Sequence, residues 1–125
     1  MCTWCHGASG IGLSRVSASE HFKDEGFDEE IDIALETTKQ SLNTASLTLC
    51  CGLLGHLEFF NEASNLRKNL EPSIKLTLQN LFSRMDEPND SFYNPGLMQG
   101  KAGIGFTLLR LLDKKGELPQ VLLLK

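Results

Sequence analysis

Four cysteines and three histidines carry most of the chemistry that this sequence can offer. Cys2, Cys5 and His6 lie at the start, Cys50 and Cys51 adjoin each other further on, and His21 and His56 stand apart. The opening stretch Met1-Cys2-Thr3-Trp4-Cys5-His6-Gly7 has neither a basic start nor an apolar run, so it does not read as an export signal. A cytoplasmic chain is therefore expected, with its cysteines kept as thiols, which favours metal binding or catalysis over disulfides. Cys2-x-x-Cys5-His6 also matches the c-type haem attachment pattern. That chemistry needs export and a second axial ligand; no export signal is read here, and an attachment site starting at residue 2 is expected to leave nothing to build one wall of a haem pocket.

A repeat relates these residues to one another. Gly7/Gly10, Gly52/Gly55 and Gly100/Gly103 share one spacing, and their first glycines are 45 and 48 residues apart. Placed in register, the pairs set Cys5-His6 opposite Cys50-Cys51 and opposite Met98-Gln99. Equivalent positions of stacked helical units are spatial neighbours, so Cys5, Cys50 and Cys51 are expected to converge at the start of two adjacent helices. Three thiolates suit one zinc ion with a fourth position open to a substrate, and such an electron-rich set leaves an incoming thiolate nucleophilic. Met98 and Gln99 are poor zinc ligands, which closes the set at three. The same cysteines also fit the ordinary fate of free cysteine as a small buried hydrophobe. Cys2 has no partner in this register. His6 is suited either to proton transfer beside the metal or to packing; His56, near Phe59 and Phe60, reads as structural, and His21 as part of an exposed connection. Trp4 reads as a packing anchor near the site. Cys50-Cys51 with His56 makes a poor nucleophile–base pair, because five residues of helix place them badly. No P-loop, HExxH or G-x-S-x-G pattern is present.

The elements that must position these residues read as helices. Each glycine pair opens an apolar segment of helical character, and two further helices are predicted between them. One spans about residues 28–40, with an acidic first turn and Ile31, Ala34, Leu35 and Thr38 on one face. The other spans about residues 63–84, with Leu66, Leu70, Ile74, Leu78, Leu81 and Phe82 at helical spacing. Pro72 inside it either kinks the helix or starts a fresh one. Residues 85–96 carry loop chemistry, and 121–124 form a short apolar run of either type. The expected architecture is all-α, built of helical hairpins in units of about 1–40, 41–85 and 86–125.

Composition narrows the rest. The chain has 125 residues, ordinary apolar content and 22% charged residues without a long single-sign block, which argues against intrinsic disorder. A net charge of −4 and a pI near 5.3 argue against nucleic acid as a partner. No apolar run approaches the roughly 18–20 residues of a transmembrane segment.

Residues 4–13, containing Trp4-Cys5-His6-Gly7, residues 49–55, containing Cys50-Cys51-Gly52, residues 94–106 and the closing Leu118-Pro119-Gln120 stretch resemble, in this order, the end of the LanC-like lanthionine cyclase domain. The nearest variety is the C-terminal domain of the class II (LanM-type) lanthipeptide synthetases. The resemblance implies an (α/α) toroid of seven hairpins around one zinc, of which about three would be present here as a C-terminal fragment. It implies Michael addition of a peptide cysteine thiolate to dehydroalanine or dehydrobutyrine, forming thioether rings in a lanthipeptide precursor. By residue matching, Cys5 and Cys50 take the places of two cysteine ligands. Cys51 stands where many members have a histidine, as in a three-cysteine variety. The family's acid/base histidine lies upstream of the Trp-Cys motif and has no match here, so the chain alone is expected to be inactive. The alternative is a non-catalytic zinc-binding module, or a split-enzyme partner of a chain supplying the missing repeats.

Overall fold

Three of the helices start directly after a glycine. In the computed structural model, which describes residues 1–23, 25–43, 45–86 and 93–125, the elements in chain order are α1 (Ala8–Ser19), α2 (Glu25–Gln40), α3 (Leu53–Ala63), α4 (Glu71–Met85) and α5 (Lys101–Leu112). Gly7, Gly52 and Gly100 cap α1, α3 and α5. Their backbones are extended, so glycine is needed for room rather than for a left-handed conformation. A Cβ on any of the three would strike the carbonyl of the residue six positions earlier, Met1, Ser46 or Asn94. The second glycines repeat the contact against Trp4, Leu49 and Leu97. The residues after the caps, Ala8, Leu53 and Lys101, donate their N–H groups to those same Met1, Ser46 and Asn94 carbonyls at 3.4, 2.7 and 2.9 Å. One turn geometry therefore recurs three times, in the register that the glycine spacing predicts.

Helix α3 lies at the centre, packed against α1, α4 and α5, while α1 also packs against α2. Nine of its 11 residues are buried, including Leu53, Leu57, Phe59 and Phe60. Gly12 of α1 brings that helix close to Ala34 of α2 and to the Phe59 ring. The predicted face of α2 is the buried one: Ile31, Ala34, Leu35 and Thr38 all face the core. Arg67 ties α2 to the turn after α3, donating to Asp28 at 2.7 Å and to Asp32 at 2.8 Å.

The helix predicted over 63–84 is corrected at its start. α3 ends at Ala63, a run of turns follows, and Asn69 adopts a left-handed φ of 73°. Pro72 then sits in the first turn of a fresh helix, where its missing N–H costs nothing. Leu70, Ile74, Leu78 and Leu81 pack against or within the core, but Leu66 and Phe82 are exposed. Of the predicted loop at 85–96, residues 87–92 lie outside the described residues. Residues 121–124 form a turn rather than a helix or strand, with Leu122 buried in the core. Among the described residues there is no strand, only an isolated bridge between Ser46 and Gly52. No described helix is long and apolar enough to cross a membrane.

Candidate metal centre

The turns that open α1 and α3 bring their cysteines together. Cys5 stands two residues before the Gly7 cap, and Cys50 and Cys51 stand immediately before the Gly52 cap. Because α1 packs on α3, the Sγ atoms of Cys5, Cys50 and Cys51 all lie within 4.8 Å of one another. Cys51 Sγ is 3.4 Å from Cys5 Sγ and 3.4 Å from Cys50 Sγ. Two helix N-termini thus meet at the cluster, and their partial positive charge favours thiolate there. The third turn closes the site from beside: the Cys50 N–H donates to the Met98 carbonyl at 2.9 Å. Met98 and Gln99 occupy the equivalent positions and add no thiol.

The electrostatics describe three sulfurs sharing one negative charge. Burial raises the Cys5 thiol, but hydrogen bonds from Cys50, Cys51, His6 and Thr3 outweigh it and bring Cys5 down to about 6. Burial, together with the neighbouring Cys5 and Cys51 sulfurs, pushes Cys50 up to about 12. Cys51 is raised chiefly by its hydrogen bond to Cys5. A soft divalent cation would take the place of the two shared protons, and the spacing suits one. Zn–S bonds of about 2.3 Å set tetrahedral sulfurs about 3.8 Å apart, between the 3.4 Å contacts and the 4.8 Å limit observed here.

The remaining predicted residues are also located. His6 is exposed, with Nδ1 3.1 Å from Cys5 Sγ, so it borders the cluster. His56 is fully buried between Ser9 Oγ, 3.3 Å from Nδ1, and Ser41 Oγ, 3.2 Å from Nε2. Burial lowers its pKa to about 4 and keeps the ring neutral, as befits a structural residue. Cys2 points away from the cluster, toward Thr38 Oγ1 at 3.5 Å. His21 is exposed after α1, and Trp4 packs against the core beside Gly55.

Two groups of residues were not singled out in the sequence. Thr3 Oγ1 accepts the His6 N–H at 3.1 Å and lies 3.7 Å from Cys5 Sγ, and Thr48 Oγ1 accepts the Cys51 N–H at 3.1 Å. The signal was available, because these threonines stand 45 residues apart, as Cys5 and Cys50 do. The second group is a buried ionic cluster at the far side of α3. Arg110 donates to Glu58 at 3.0 Å and to Glu62 at 2.8 Å, and Gln120 donates to Glu58 at 2.7 Å.

An all-helical chain with glycine-opened helices around a three-cysteine cluster defines a class, and comparison with known proteins agrees. The chain belongs to the lanthionine synthetase C-like protein family, whose profile matches residues 2–123. Among curated proteins it is similar to the lacticin 481/lactococcin biosynthesis protein LcnDR2 of Lactococcus lactis subsp. lactis. The two are 29% identical over 137 aligned residues, which cover 91% of this chain and 14% of that protein. The chain therefore spans about a seventh of that relative's length. No solved structure matches the chain.

Proposed function

We propose that this chain carries the zinc site of a lanthionine cyclase, with Cys5, Cys50 and Cys51 as the protein ligands of one ion. The reaction would be addition of a precursor-peptide cysteine thiolate to dehydroalanine or dehydrobutyrine, forming a thioether ring. The observation that carries this reading is the convergence of three free thiols within 4.8 Å at two helix N-termini. Zinc, when bound, supplies a Lewis acid that holds a substrate thiol as thiolate near neutral pH. The three cysteines would hold the ion and leave a coordination position for the peptide thiolate. His6, exposed and hydrogen-bonded at Cys5, is the imidazole suited to accept or return a proton at the edge of the site. Reduced thiols are a condition of the chemistry, so a cytoplasmic setting goes with it. The units 1–40, 41–85 and 86–125 would then be hairpins of the family's (α/α) toroid, a reading supported by their three matching turns.

Substitution with cobalt(II), which makes thiolate ligation visible, tests the open position. A peptide with a single cysteine should intensify the sulfur-to-cobalt absorption of the loaded chain, and its serine analogue should not. Identical spectra with both peptides would contradict thiol activation at this site.

A further inference from the structure

The three turns differ at one position in a way that follows their ligands. Thr3, Thr48 and Gly96 are equivalent, each lying four residues before a capping glycine. In the first two turns the threonine Oγ1 accepts the N–H of the residue just before that glycine, His6 or Cys51, at 3.1 Å in both. The third turn has no hydroxyl at this position. Asn94 Oδ1 holds it instead, accepting the Gly96 N–H at 2.7 Å, as Ser46 Oγ accepts the Thr48 N–H at 3.5 Å. The basic turn therefore forms with or without the threonine. What the hydroxyl adds is a bond across the cysteine-bearing segment, and it occurs in the two turns that carry thiols and not in the one that carries Met98 and Gln99.

We propose that Thr3 and Thr48 are positioning residues of the metal site, whose hydroxyls fix the ligand-bearing peptides before an ion arrives. Thr48 holds the Cys51 N–H, and so the direction in which the paired sulfurs leave the backbone. Its own hydroxyl is held in turn by Ser46 Oγ at 3.1 Å. Thr3 holds the peptide between Cys5 and His6 and adds a contact of 3.7 Å to Cys5 Sγ itself. Outer-shell partners of this kind orient ligands and tune their donor strength. Each hydroxyl would act on a different ligand-bearing turn, so their effects on metal affinity should be separable.

This inference rests on the zinc reading above, and its test separates the two. Zinc affinity is measured on the full chain by competition with a chromophoric chelator, for the parent and for Thr3→Val, Thr48→Val, Thr3→Ser and Thr48→Ser. Valine keeps the shape and backbone preference of threonine but removes the hydroxyl, whereas serine keeps the hydroxyl. Each valine variant should bind zinc about 10- to 100-fold more weakly, the loss typical of outer-shell changes. Each serine variant should stay close to the parent, and circular dichroism should be unchanged throughout. The cobalt(II) absorption of the valine variants should shift as well, because sulfur orientation changes and not merely occupancy. A parent chain that takes up no zinc overturns the metal reading and this inference with it. A parent that binds zinc beside valine variants of undiminished affinity overturns only the positioning role, as do serine variants as weak as the valines.

Discussion

At the scale of single residues, charge and burial divide the titratable groups into those poised for a ligand and those placed for packing. The thiols of Cys5, Cys50 and Cys51 hold one another's protons across 3.4 Å contacts, an arrangement that a cation can replace. His56 is the opposite case, a neutral ring sealed between two serine hydroxyls. Its folded value of about 4 lies below the ordinary 6.5, so between these values the unfolded chain takes up a proton that the folded chain refuses. The stability this residue confers is therefore fully present above 6.5 and is lost as pH falls toward 4, by about 3 kcal/mol. Urea unfolding at about pH 7.5 and about pH 4 should show a smaller acid loss for His56→Gln than for the parent; equal losses would contradict the assignment. The cysteine cluster was legible in the sequence because the glycine register predicted which thiols meet. Thr3 and Thr48 were legible only as a pair 45 residues apart, matching Cys5 and Cys50; what the structure adds is the i to i+3 hydrogen bond that each makes. Glu58 was hidden, because its partners come from α5 and from the C-terminal turn, 52 and 62 residues away.

At the scale of elements, glycine spacing decides where the site-bearing helices begin and how tightly their approach turns close. Along α5 the two kinds of helical glycine stand two residues apart. A Cβ at Gly103 would run into the Leu97 carbonyl, a backbone atom that cannot step aside, whereas at Gly105 nothing lies within 4 Å. Gly103→Ala should destabilise the chain by about 1–3 kcal/mol through overpacking. Gly105→Ala should stabilise it by up to about 1 kcal/mol, because an exposed helix interior favours alanine. Thermal unfolding of the two variants checks the contrast, and shifts of the same sign would contradict the close-packed turn. The apolar period was less informative around residue 66. Leu66 and Leu70 continue the pattern of the following helix, yet the left-handed backbone at Asn69 breaks the chain before Pro72 restarts it. Side-chain periodicity reports a face and not the continuity of the helix beneath it.

At the scale of the whole molecule, α3 links a cysteine cluster at its start to an ionic cluster on its buried far side. Arg110 is shared between two carboxylates and also donates to the Leu118 carbonyl at 2.7 Å, so α5 and the C-terminal turn are fastened to α3 through one side chain. Gln120, nearly fully buried, adds its own bonds to Glu58 and to the Leu122 N–H. Near the other end, Cys5 belongs to the turn before α1 while Cys50 and Cys51 belong to the turn before α3. An ion there would add a further link between two helical hairpins already joined by apolar packing, by the Arg67 ion pairs and by the His56–Ser9 hydrogen bond. The all-helical class and the order of the glycine turns were plain in the sequence, since apolar residues recur at helical spacing and the glycine pairs recur 45 and 48 residues apart. The ionic fastening was not, since nothing repeats it. The most direct test is the zinc content of the purified chain after zinc loading and removal of excess, for the parent and for Cys50→Ala. About one zinc per parent chain and none retained by Cys50→Ala is the expected result. A parent chain that cannot be loaded, or a Cys50→Ala variant that keeps its full complement of zinc, would contradict the three-cysteine site.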